Sequence, residues 1–226
     1  MELQQNVVEK KTFELLKALM NEEIFSEYFL VGGTALALRL GHRKSIDIDM
    51  FTKNDIPVNE IQRFLSEKYN FREEFREKNT LKGDVEGVKL DFIKYDYPLL
   101  KSFEENPDNI RIASNEDIIA MKLSAITDSG SRVKDFTDIA FLSKYYSLHE
   151  MLDFYKTKFD GANIFSVTKA LVYFDDIDFS NEPVNLIKGK FNWKKIETRL
   201  IDMTKNPEKK YSQFPIVQKS NMGYGY

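Results

Sequence analysis

The stretch "FLVGGTALALRLGHRKSIDIDMF", residues 29–51, decides how the chain is read. An apolar run ends in Gly32-Gly33, a short apolar helix pattern follows, and Asp47 and Asp49 then alternate with Ile46, Ile48 and Met50. On a strand, residues two apart share a face, so the two aspartates point one way and the apolar residues the other. Adjacent like charges raise each other's pKa unless a cation lies between them. A hard divalent ion would relieve the pair, and Mg²⁺ is commonly held by one or two carboxylates plus substrate phosphates. A solvated strand face is the plain alternative. Glycines at a strand-to-helix junction let backbone N–H groups approach a ligand, and the helix N-terminus that follows favours anions. No lysine-serine pair and no third glycine follow, so this is neither a phosphate loop of the Walker type nor a dinucleotide fingerprint.

Around this stretch, spacing predicts an amphipathic helix over residues 7–28 and a short strand in "YFLVGG". Thr34 is expected to cap a helix, "TALALRL", that Gly41 closes, and "SIDIDMF" to form a strand. A helix is expected after Pro57, then a three-segment meander over residues 71–95. From Ser114 the pattern turns helical: "SNEDIIAMKLSAIT" opens with a serine cap, and "SRVKDFTDIAFLSKYY" and "LHEMLDFYKTKF" keep the same period. The expectation is an α+β chain, with a mixed α/β half over 1–113 and a helical half over 114–226 that ends in a loose or docked tail, "FPIVQKSNMGYGY".

Composition restricts the partners. With 226 residues, 42% hydrophobic and 31% charged, the chain has the makings of a globular core. A net charge of −3 argues against a general nucleic-acid coat but leaves room for a local basic cleft. With no cysteine there is no disulfide, thiolate metal site or cysteine nucleophile. The N-terminus has no apolar core of signal-peptide type, and no stretch approaches the roughly 20 apolar residues that cross a bilayer. No membrane association and a cytoplasmic location are expected.

The Gly-Gly turn followed by D-x-D resembles the nucleotidyltransferase superfamily with the DNA-polymerase-β-like fold. "GGTALAL", "GHRKSIDIDMF", "DIIAMKLSAI" and "RVKDFTDIAFL" are similar, more closely, to successive motifs of the AbiEii/AbiGii-type nucleotidyltransferase toxins, over roughly residues 26–145. The resemblance implies a polymerase-β-like core, a mixed sheet with flanking helices, completed by the helical half. It implies transfer of NMP from an NTP to an acceptor hydroxyl, with Mg²⁺, or Mn²⁺ in its stead, held by Asp47 and Asp49. Gly32, Gly33 and Thr34 would cradle the phosphates, and Ser45 and Arg43 would add a hydroxyl and a cation. Asp91 is the candidate third carboxylate, with a solvated strand position as its alternative. Lys122 would face the phosphates, where the alternative is a lysine snorkelling to solvent. Asp135 and Asp138 would orient Lys122, position the acceptor or act as base; they could equally be surface ion-pair partners of Arg132 and Lys134. The implied partners are an RNA or tRNA end and a cognate antitoxin protein. A small-molecule or protein acceptor, and a non-catalytic nucleotide-binding regulator, are the competing readings. His42 is expected to be an ordinary loop residue, and Asp175, Asp176 and Asp178 a surface loop.

Overall fold

The structure, a computed structural model, describes residues 2–180 and 183–216. Seven strands form one sheet: β1 (Phe29–Leu30), β2 (Ile48–Thr52), β3 (Arg72–Glu77), β4 (Thr80–Val85), β5 (Val88–Lys94), β6 (Glu104–Glu105) and β7 (Arg111–Ile112). Their spatial order is β3-β4-β5-β2-β1-β7-β6. The sheet is mixed, because β2 runs parallel to β5 and β1 parallel to β7, while every other pairing is antiparallel. One helix, α1 (Lys10–Met20), precedes the strands, and two fall among them, α2 (Gly32–Leu40) and α3 (Val58–Tyr69). Five follow the last strand: α4 (Asn115–Asp128), α5 (Val133–Leu142), α6 (Leu148–Lys158), α7 (Ile164–Ala170) and α8 (Trp193–Lys205).

The alternation read from the sequence is physical on β2, whose Ile48, Met50 and Thr52 are buried while Asp49 and Phe51 are half-buried. The meander over residues 71–95 forms as β3, β4 and β5. Ser114 caps α4 by accepting from the Asp117 N–H, and Ser147 and Glu150 close a reciprocal capping box on α6. One cluster of buried apolar side chains runs from α1 through the sheet to α8, so residues on both sides of position 113 share a core.

Three expectations are corrected. The helix over residues 7–28 breaks into a 3-10 turn at Gln5–Val7, α1, and a second 3-10 turn at Glu23–Phe25. Helix α2 begins at Gly32 with Val31 as its N-cap, so Thr34 lies inside the first turn and caps nothing. Its hydroxyl is instead drawn into tertiary bonds, 2.8 Å from Ser45 Oγ and to the Asp47 carbonyl oxygen. Strand β2 starts at Ile48, leaving residues 45–47 as the irregular segment that leads into it. Of the expected tail, Phe214 packs on Phe141, with ring centroids 5.2 Å apart, and Ile216 is buried; residues 217–226 lie outside the described residues. Residues 175 and 176 are exposed, as read, whereas Asp178 bridges to Arg132.

Candidate active site

Parallel pairing of β2 and β5 sets Asp49 beside Asp91, and the Val31 N–H donates to the Asp49 carbonyl oxygen at 2.9 Å, fixing the start of α2 against β2. A cleft of about 500 Å³ opens here between this face of the sheet and α4. Gly32, Gly33, Asp47, Asp49, Asp91, Lys122 and Asp135 all line it.

Gly32 has φ +70°, and a Cβ on it would overlap the Asp49 carboxylate; a Cβ on Gly33 would lie 2.6 Å from an Arg43 guanidinium nitrogen. Both glycines are therefore demanded by what surrounds them. Gly32→Ala is expected to lower stability by about 1–2 kcal/mol through the left-handed backbone and to displace Asp49, losing most activity. Thermal unfolding together with a transfer assay measures both, and an unchanged Asp49-dependent activity would show that the carboxylate can move without loss.

Electrostatics in the cleft are out of balance. The Asp49 carboxyl is pushed up to about 7, chiefly by burial, then by the charges of Asp91 and Asp47, with Arg132 and Lys122 only partly opposing. Asp91 is held by Lys82 at 2.6 Å. No three carboxylate or imidazole groups among the described residues stand close enough to make a closed metal site. The donor set nonetheless suits a hard divalent ion, which takes one or two carboxylates and completes its shell with phosphates and water. Asp49 is the carboxylate whose nearby cations fall short of offsetting its burial, and Asp47 shares its cleft.

Behind the cleft wall lies a buried ion network centred on Asp138. Arg43 grips its carboxylate with both fork arms, Nε at 2.6 Å and Nη2 at 2.8 Å. Lys122 Nζ reaches it at 2.6 Å and Asp135 at 2.8 Å. The His42 Nε2 lies 2.7 Å from Asp138, with its ring against Phe141. Burial works to raise the Asp138 carboxyl, but Arg43 and Lys122, with hydrogen bonds from Arg43 and His42, hold it well below the usual range. Burial works to lower Lys122 in turn, and Asp135 and Asp138 outweigh it, leaving the ammonium above its ordinary value. Burial depresses His42, so its neutral ring donates from Nε2 to Asp138. The 42–45 turn is tied from outside by three backbone bonds: Ile187 N–H to the His42 oxygen, Lys44 N–H to the Asn185 oxygen, and Ser45 N–H to the Val7 oxygen.

The structure thus separates the sequence-derived candidates. Seven reach the cleft; Thr34, Arg43, Ser45 and Asp138 are buried directly behind it and do not line it. His42, expected to be an ordinary loop residue, is fully buried in the network. Sequence reasoning passed over Glu74, Phe75, Lys82 and Lys89 on the β3–β5 face, which also line the cleft. The lysines had a signal in their alternation with apolar neighbours on β4 and β5.

A family model described as nucleotidyl transferase AbiEii toxin, type IV toxin-antitoxin system, matches residues 14–216. An uncharacterized protein of Aquifex aeolicus (strain VF5) is 37% identical over 174 residues, which is 75% of this chain and 84% of that protein. Two solved structures share the fold. A candidate nucleotidyltransferase from H. pylori superposes with a TM-score of 0.56 at 19% identity, covering 88% of this chain and 96% of the other. The nucleotidyltransferase toxin MenT4 of Mycobacterium tuberculosis H37Rv does so with a TM-score of 0.52 at 14% identity, covering 87% and 84%.

Proposed function

Because the chain belongs to the AbiEii nucleotidyl transferase toxin family and is a nucleotidyltransferase of polymerase-β-like fold, we propose that it transfers NMP from an NTP to the hydroxyl of an RNA end, a tRNA being the leading candidate. The observation that carries this is Asp49, raised to about 7 between Asp47 and Asp91 in the cleft that the Gly32-Gly33 turn opens. Asp47 and Asp49 would hold Mg²⁺, with Mn²⁺ as substitute, and Asp91 is the neighbouring third carboxylate. Held there, such an ion would supply neutralisation of the triphosphate charge and polarisation at the α-phosphorus.

The chain's own groups do the rest. Backbone N–H groups at the start of α2 receive phosphate oxygens, as free helix N-termini do. Lys122, held as an ammonium by Asp135 and Asp138, presents positive charge to the same phosphates. The acceptor oxygen attacks the α-phosphorus, the bond to the β-phosphate breaks, and pyrophosphate leaves. Asp135, which lines the cleft while Asp138 does not, would take the acceptor proton. Asp138, Arg43 and His42 keep Lys122 and the 42–45 turn in position.

An RNA acceptor finds support on α8. A concave surface there carries Lys194, Lys195, Arg199 and Lys205 with Asp202 as its acid, in a protein whose net charge is −3. A polyanion is the partner such a surface suits. A toxin of this kind would act in the cytoplasm under the control of a cognate antitoxin protein. No helix among the described residues is long and apolar enough to cross a membrane.

The test is transfer of label from each of the four α-³²P NTPs, with Mg²⁺, into RNA, protein and small-molecule fractions. Label in RNA that disappears with chelator supports the reading. Label in protein or a small molecule keeps the chemistry and overturns the acceptor, and no label in any fraction overturns the transferase reading for this site.

A further inference from the structure

The register of the sheet sets four cleft-lining side chains in one line. Phe75 on β3 lies opposite Lys82 on β4, Lys82 opposite Asp91 on β5, and Asp91 beside Asp49 on β2. Three inter-strand spacings put the Phe75 backbone about 14 Å from that of Asp49. That interval is long enough to take the nucleoside of a nucleotide whose phosphates lie at Asp49.

Strand β3 is irregular at this place. Glu73 pairs with Gly83 and Phe75 with Lys82, so Glu74 is the extra residue of a bulge. A regular strand would send Glu74 and Phe75 to opposite faces, whereas a bulge re-aims side chains, and here both line the cleft. Phe75 is 43% exposed and belongs neither to the core nor to the side chains packed against it. The Glu74 carboxylate is likewise exposed. An aromatic face and an acceptor-only carboxylate therefore stand side by side at the far end of the line that begins with the phosphate-handling aspartates. The apolar strip of Phe51, Ile93 and Met121 offers burial without a hydrogen-bonding group, so it cannot tell one base from another.

We propose that Glu74 and Phe75 form the base-recognition subsite of the cleft: the Phe75 ring stacks on the nucleobase of the bound NTP, and the Glu74 carboxylate accepts a hydrogen bond from an amino group on the edge of that base. Adenine, cytosine and guanine carry such an amino group; uracil has none, and its one donor, N3–H, lies between two carbonyl oxygens that repel a carboxylate. The subsite therefore selects against UTP. This inference rests on the NTP-transfer reading above.

Calorimetric titration of the full chain, with Mg²⁺, by each of the four NTPs and by inorganic tripolyphosphate tests it. UTP is expected to bind most weakly. Phe75→Ala should weaken ATP, GTP and CTP roughly tenfold or more, the size of one lost base–aromatic stack, and leave tripolyphosphate unchanged. Phe75→Trp should restore binding, and Glu74→Gln should narrow the gap to UTP. Unaltered NTP affinity in Phe75→Ala overturns the proposal, including the case in which label transfer to the acceptor falls while NTP affinity holds, since the ring would then serve the acceptor. Equal weakening of tripolyphosphate also overturns it, because the loss would then be structural. Failure of the wild-type protein to bind both NTPs and tripolyphosphate sinks the transferase reading itself, a separate outcome.

Discussion

Asp49→Asn is expected to stop nucleotide transfer and to raise the melting temperature of the metal-free protein. The two effects share one cause. Burial, with Asp91 and Asp47 beside it, holds the Asp49 carboxyl at about 7 in the folded chain, against 3.8 ordinarily. In that window the folded protein keeps a proton that the unfolded chain has released. Stability therefore falls as pH rises from about 4 to about 7 and stays low above, by up to a few kcal/mol from this group. An amide of nearly the same volume removes that loss. It also removes the charge that would hold the cation, so transfer should fall by about 10²–10³-fold or more. Melting curves between pH 5 and 8, with and without Mg²⁺, read the stability side. The wild type should gain from acid or from Mg²⁺, and the Asn variant from neither. Retained transfer in the variant would refute the metal assignment, and an unchanged pH profile would refute the electrostatic account.

Asp138→Ala should be the most destabilising substitution in the site. It would take from Arg43, which is buried, the carboxylate that its fork grips, and leave Lys122 with Asp135 alone. Removing one partner of a buried pair costs about 3–5 kcal/mol, which for a chain of this size lowers the melting temperature by about 10 °C or more. Glu197→Ala is the comparison. It breaks the exposed Lys194–Glu197 contact of 2.9 Å, and such pairs contribute about 0–1 kcal/mol. Thermal unfolding of the two variants side by side measures the contrast. A shift of similar size in both would mean that the Asp138 network is solvated.

The parts of the fold that sequence made legible are those governed by local period and chain punctuation. The alternation on β2, the meander of β3 to β5, and the capped helices α4 and α6 each follow from neighbours within a few residues. Thr34 shows where this stops. Its type suits a cap, yet the partners that claim its hydroxyl, Ser45 and Asp47, arrive from beyond the helix. His42 shows the same limit: nothing near "GHRKS" announces that Asp138 and Phe141, nearly a hundred residues away, will bury its ring. In the site, spacing pointed to Asp47 and Asp49 and the family resemblance to Asp91 and Lys122, and all four come to one cleft. Sequence could not tell Asp135, which faces the cleft, from Asp138, which lies behind it, because both sit on one side of α5. The line from Phe75 to Asp49 was hidden altogether, since it depends on strand register and on a bulge.

The Asp138 clasp also bears on the order in which a growing chain becomes competent. Chains emerge from the ribosome N-terminus first at about 5–20 residues per second, so roughly 4–18 s separate the appearance of Asp49 from that of Asp138. During that interval both glycines and both aspartates have been made, but the carboxylate that Arg43 and Lys122 share has not. On the proposed site, a nascent polypeptide would be inert as a transferase until α5 had been synthesised and docked, and a product cut short before α5 would stay so. Competence would then arrive late in translation.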